Sequence, residues 1–145
     1  KDNTIAIIGM GRVGSGAYDK MQSIYGDTVV GIDFDPVTIS YQLSTGKNIL
    51  LGDPSDADFW DRITGTHTLK LVMLTLPNIE MNLSVLKELS TAKFDGRVVA
   101  AVRYSDEVER LEKAGVNSVF NIYTEAGAGF AAHVIAQNQS FIPAK

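Results

Sequence analysis

The chain has no cysteine, and only 2 histidines and 4 prolines among its 145 residues. Without cysteine it can form no disulfide and offers no thiolate to a metal or a nucleophilic mechanism. Positive charge is also short. Lys and Arg number 13 against 17 acidic residues, a formal net charge of −4 with no basic run. That balance argues against nucleic acid or an anionic membrane surface as a partner. No apolar stretch is long enough to span a bilayer, because the longest, 4–11 and 70–77, are of strand length. Lys1 leads almost directly into the first apolar run, so no signal peptide is expected. Repeats, low-complexity segments and linker-like clusters are missing too.

What is present is a core. Hydrophobic residues make up 45% of the chain, enough for one domain that buries roughly two-thirds of its unfolded surface. Apolar, β-branched runs occur at 4–8, 28–32, 48–51, 69–75, 97–102 and 118–120. Between them, 13–24, 37–44, 59–63, 79–89 and 107–114 carry helical spacing, and 125–135 can form a further helix. The first, fourth and fifth runs are apolar at successive positions, as strands buried on both faces should be. The alternation predicts βαβ units, hence a doubly wound α/β domain with helices on both faces of a parallel sheet in three layers. Residues 1–135 are assigned to this domain and 136–145 to a tail or linker.

The first run ends in Gly9-Met10-Gly11-Arg12-Val13-Gly14, a G-x-G-x-x-G turn between a buried strand and an amphipathic helix. Gly9 permits the tight turn, Gly11 allows backbone to approach a phosphate, and Gly14 allows close helix–strand packing. The helix N-terminus beyond it offers unpaired N–H groups and a partial positive charge to an anion. Arg12 can add a guanidinium to the same phosphate, or lie on the surface. The second run ends in Asp33, 22 residues after Gly11. A carboxylate there accepts both hydroxyls of a ribose and repels a 2′-phosphate. Phe34 and Asp35 follow it into the same region.

Two further strand ends belong at the carboxyl edge, where open α/β sheets bind ligands. One is Gly52-Asp53-Pro54, with Asp53 where an adenine amino group would arrive. Ser55 or Asp56 beside it can cap the next helix. The other is Thr75-Leu76-Pro77, with Pro77 closing the floor of the crevice. Catalytic parts are scarce. His67 and His133 stand in no catalytic spacing with a serine or carboxylate, and a transition-metal site lacks ligands. Trp60 reads as a packing anchor of a short helix.

The glycine turn with its internal arginine, Asp33, Gly52-Asp53-Pro54 and the βα pattern over about 4–135 resemble the RCK/KTN (TrkA-N) family. These are cytoplasmic nucleotide-binding regulatory domains of potassium channels and transporters, glutathione-gated potassium-efflux antiporters of bacteria among them. The resemblance implies a Rossmann-like sheet in order 3-2-1-4-5-6, a homodimer, and AMP, NAD(H) or ATP as ligand. It places Gly11, Arg12 and Val13 on phosphate, Asp33 on ribose, and Asp53 with Pro54 on adenine. It further implies a membrane-embedded potassium transporter or channel as partner and a cytoplasmic location at the inner membrane. Pro54 stands where the family often has alanine. The fifth run ends Val102-Arg103-Tyr104, and the resemblance gives that arginine to a dimer or partner surface.

The residues alone fit two classes. One is a regulatory nucleotide-binding domain without catalysis, on the membrane protein's chain or as a separate subunit docked to it. The other is the cofactor domain of an NAD-dependent oxidoreductase lacking its catalytic domain. Nearly the whole chain is consumed by the nucleotide-binding sheet and its helices, which leaves no second domain for a substrate pocket and favours the first.

Overall fold

Six short apolar runs become six parallel strands in the computed structural model, which describes residues 2–65 and 67–145. Lys1, on which the reading of the N-terminus rested, lies outside the described residues. The strands are β1 (Ile5–Ile8), β2 (Val29–Asp33), β3 (Ile49–Leu51), β4 (Leu71–Leu74), β5 (Arg97–Val102) and β6 (Ser118–Asn121). Helices α1 (Arg12–Tyr25), α2 (Pro36–Ser44), α3 (Ala57–Thr64), α4 (Ile79–Thr91) and α5 (Asp106–Lys113) connect them, and α6 (Ile122–Gln137) follows β6. The sheet order is 3-2-1-4-5-6. The fold is therefore Rossmann-like and doubly wound.

β1 sits at the centre, with Ile5 in register with Val29 on one side and Leu71 on the other. All four of its residues are buried. The two-residue period of a strand sends Ile5 and Ile7 to one face and Ala6 and Ile8 to the other. On the first face they join Val29, Ile39, Ile49 and Tyr18 beneath α1 and α2. On the second, the larger cluster gathers Trp60, Leu74, Val85, Leu89 and Leu111 from α3, α4, α5 and the sheet. Burying each such side chain contributes about 1.5–3 kcal/mol, so this second face carries most of the fold's apolar stabilisation.

Helix starts are written in the sequence. Asp35, Asp56, Asn78 and Asn121 cap α2, α3, α4 and α6, each accepting from a backbone N–H two or three residues on. Of the two residues proposed to cap α3, Asp56 does so, while Ser55 turns back to Asp53.

Two expectations are corrected. β4 and β5, read as buried on both faces, are buried on one: Val72, Leu74, Val98, Ala100 and Val102 are covered, whereas Met73, Val99 and Ala101 remain half-exposed. The cause is α6, the last helix of a fold expected to carry helices on both faces of its sheet. None of its residues is buried, and Phe130 and Ile135 are exposed. An apolar groove of about 360 Å3 therefore stays open on the α1 side of the sheet, lined by Val13, Ala17, Met73, Val99, Ala101 and Phe120 among others.

Candidate functional site

The carboxyl ends of β1, β2 and β4 meet where the strand order reverses, and the glycine turn lies across that point. Its three glycines are required for three different reasons. Gly9 has φ +95°, a conformation that side chains rarely adopt. A Cβ on Gly14 would overlap the Gly9 carbonyl oxygen, so α1 can approach β1 only without one. A Cβ on Gly11 would meet no protein atom within 4 Å. Packing therefore does not explain Gly11, whose Cβ position faces open space. As N-cap of α1 it also supplies no capping side chain, which leaves first-turn N–H groups pointing outward.

Met10 anchors the turn from below. Its side chain is only 1% exposed and fills a space beside Gly31, where a Cβ would stand 2.6 Å from the Met10 sulfur. Its N–H donates to Asp33 Oδ2 at 2.8 Å. The other oxygen of Asp33 accepts from the N–H groups of Phe34 and Asp35 at 2.8 and 3.0 Å. Backbone donors thus fix the carboxylate's orientation, and Oδ2, with a single donor, retains lone-pair capacity for a hydroxyl. Asp35 is engaged differently. It accepts from Thr38 Oγ1 at 2.8 Å and from the Val37 N–H at 3.2 Å. Those bonds, the Thr38 hydroxyl foremost, hold its carboxyl below the ordinary carboxylate range.

Two cavities adjoin here. The first, of about 340 Å3, is lined by Gly9, Gly11, Arg12, Val13, Asp33, Phe34, Asp35, Thr75, Leu76 and Pro77 among others. The second, of about 410 Å3, is lined by Asp53, Pro54, Ser55, Glu80, Ser84 and Val85, and shares Phe34, Leu76 and Met81 with the first. Most residues singled out from the sequence thus face one continuous crevice. Met10, Gly14 and Gly52 line neither cavity. They build its walls, Gly52 by admitting the Phe59 ring where a side chain would overlap it.

The second cavity has a rigid rim. Asp53 Oδ1 accepts from both the hydroxyl and the N–H of Ser55, at 2.6 and 2.9 Å, and the hydroxyl bond is the main cause of its lowered pKa. Pro54 offers its carbonyl to the indole N–H of the fully buried Trp60 at 2.6 Å, and Trp60 meets Phe59 edge-on. The tryptophan expected as an anchor therefore anchors the wall of the crevice.

Arg103, Met81 and Thr38 were not among the expected site residues, yet they line the crevice. Arg103 donates to the Pro77 carbonyl at 2.7 Å and lines the same cavity as Arg12. The histidines stand elsewhere. His67 lines a small cavity at the amino edge of the sheet, and His133 is exposed on α6. Among the described residues, no group of three His, Cys, Asp or Glu side chains is arranged to hold a metal ion. No helix among them is long and apolar enough to cross a membrane.

The family model described as TrkA-N domain matches residues 5–122. No curated protein sequence matches the chain. Among solved structures, the NAD(P)-binding domain of an exopolyphosphatase-related protein from Archaeoglobus fulgidus is similar, with a TM-score of 0.81 and 23% identity. That match covers 91% of this chain and 97% of that one. The TrkA-N domain of the inner membrane protein ybaL from Escherichia coli gives 0.76 and 21%, covering 91% and 96%. The GsuK channel bound to NAD gives 0.73 and 17%, covering 83% of this chain and 21% of the channel.

Proposed function

The chain belongs to the TrkA-N domain family, and from that premise we propose that it is a regulatory domain that binds an adenine nucleotide, AMP or NAD(H), and governs a potassium transport system without catalysing a reaction. One observation carries this reading: the crevice joins the glycine turn at the start of α1, the Asp33 carboxylate and the cavity lined by Phe34, Pro54 and Leu76, in that order. Phosphate would lie on the Gly11, Arg12 and Val13 backbone. Ribose hydroxyls would donate to Asp33. The base would enter between Phe34, Pro54 and Leu76, with its amino group toward the Asp53 carboxylate. Thr75 and Pro77 would floor the site. The NAD held by the GsuK channel supports the ligand class.

The regulatory role is supported by the TrkA-N family match and by similarity to the TrkA-N domain of ybaL and to the GsuK channel. The partner in this reading is a membrane-embedded potassium transporter or channel, with the domain on its cytoplasmic side and residues 136–145 as tail or connection. The domain acts as a homodimer. Support for the dimer comes from the groove over Met73, Val99 and Ala101, left open by an α6 that carries exposed Phe130 and Ile135. A second copy's α6 has the apolar surface to fill it.

A thermal-shift panel of AMP, ADP, ATP, NAD, NADH and NADPH tests the proposal. A ligand that binds only the folded state at about a hundredfold excess over Kd adds roughly 2.7 kcal/mol of stability. AMP or NADH should raise the melting temperature. A panel in which no adenine nucleotide does so overturns the reading.

A further inference from the structure

Gln42 lies on α2, 32 residues from the glycine turn, and is 5% exposed. Its Nε2 donates to the Met10 carbonyl at 3.1 Å and to Ser15 Oγ at 2.6 Å. The Ser15 hydroxyl in turn donates to the same Met10 carbonyl at 3.0 Å. Both groups facing Gln42 are oxygens that accept, so the amide nitrogen is correctly turned toward them. The reverse orientation would set two carbonyl oxygens against each other. Met10 is therefore held at both ends of its backbone: its N–H by Asp33 from β2, its carbonyl by Gln42 from α2 and Ser15 from α1.

This arrangement is unfavourable as pure packing. Gln42 Oε1 is buried without a hydrogen-bond partner, and a buried acceptor left unpaired costs its full desolvation. An apolar side chain of similar shape would fill the site without that penalty. What it could not do is fix the Met10 carbonyl. That carbonyl belongs to the peptide unit that carries the Gly11 N–H, so its direction sets where the N–H points.

We infer that Gln42 is a positioning residue of the nucleotide site, which aims the phosphate-binding backbone of the turn by clamping the Met10–Gly11 peptide. The inference rests on the proposed nucleotide-binding function. Its signature is selective. Phosphate contacts depend on the clamped Met10–Gly11 peptide, whereas the base contacts of Asp53 and Pro54 do not touch it. Asp33 is bonded to the preceding peptide's N–H and keeps its Phe34 and Asp35 donors without the clamp.

The test compares ADP with adenosine on the wild-type chain and on Gln42→Met, which keeps the volume and removes the donor. Affinities come from isothermal titration calorimetry, by displacement for the weaker ligand, and stability comes from thermal melting without ligand. Gln42→Met should weaken ADP about three- to tenfold, leave adenosine unchanged, and hold or raise the melting temperature. Ser15→Ala, which removes one donor to the same carbonyl, should show the same selectivity at smaller amplitude, and it decides the matter should Gln42→Met not fold. Equal losses for ADP and adenosine, or no loss for ADP, overturn the inference while leaving nucleotide binding intact. A wild-type chain that binds neither ligand overturns the function it rests on.

Discussion

Gly14 lies so close to Gly9 that a methyl group added to it would overlap the Gly9 carbonyl oxygen, whereas one added to Gly11, three residues earlier, would touch nothing. The two positions therefore separate folding from binding. Gly14→Ala should destabilise the domain by about 3 kcal/mol or more, since backbone must move to admit the Cβ. Gly11→Val should cost only about 1 kcal/mol, the loss of a favourable N-cap residue, because φ of −74° does not require glycine and the branch enters open space. It should nonetheless abolish nucleotide binding by obstructing backbone approach to phosphate. Thermal melting and calorimetry of both variants check the contrast. A Gly11→Val chain that binds AMP as the wild type does would move the phosphate site elsewhere.

Cofactor choice follows from Asp33. Its carboxylate is fixed by three backbone N–H groups and cannot swing away from a bulky anion without leaving them unpaired. A 2′-phosphate would meet that charge head-on, so NADH should bind at least about tenfold more tightly than NADPH at equal ionic strength, a difference of about 1.4 kcal/mol. Titration of both dinucleotides measures the ratio, and a preference for NADPH would remove Asp33 from the ribose site.

Acid sensitivity has a definite sign. The Asp35 carboxyl is held below its ordinary value of 3.8 by the Thr38 hydroxyl and the Val37 N–H. A group whose folded pKa is depressed contributes stability above its unfolded pKa and loses that contribution as pH falls through the lower folded value. Asp35→Asn, which mimics the protonated form, should melt below the wild type at pH 7. The gap should close as pH drops beneath 3.8. Melting curves across that range decide it, and a gap that is constant with pH would mean that charge plays no part in this cap.

The place of the glycine turn and of Asp33 at the sheet's carboxyl edge was legible in the sequence because their spacing is local to one βαβ unit. β5 was legible to the residue for a similar reason: an unbroken apolar run, 98–102, lies between a glycine-arginine pair and a polar turn. Arg103, Met81 and Thr38 were not, because each reaches the crevice through a different crossover, and only the strand order brings those loops together. Gln42 sits in a helix whose pattern predicts nothing beyond a helix, and its partners are 27 and 32 residues away. The open face of β4 and β5 misled for a physical reason. Apolar residues on both sides of a strand state that both sides will be covered, and cannot state by which chain.

That last point makes assembly the most consequential prediction. Met73, Val99, Ala101 and Phe120 form an apolar groove, while α6 projects Phe130 and Ile135 into solvent and places Gly127 and Gly129 where a Cβ would touch nothing. Two glycines inside a helix each cost about 1 kcal/mol relative to alanine, and nothing within the monomer accounts for them; close approach of another chain would. Light scattering at micromolar concentration should therefore give about twice the 15.7 kDa of one chain. Phe130→Asp should return the mass to that of the monomer. Because Phe130 is 70% exposed within one chain, the substitution should leave the fold of the separated monomer intact by circular dichroism. A wild-type mass near one chain, with and without AMP, would mean that the groove is filled by something other than a second copy.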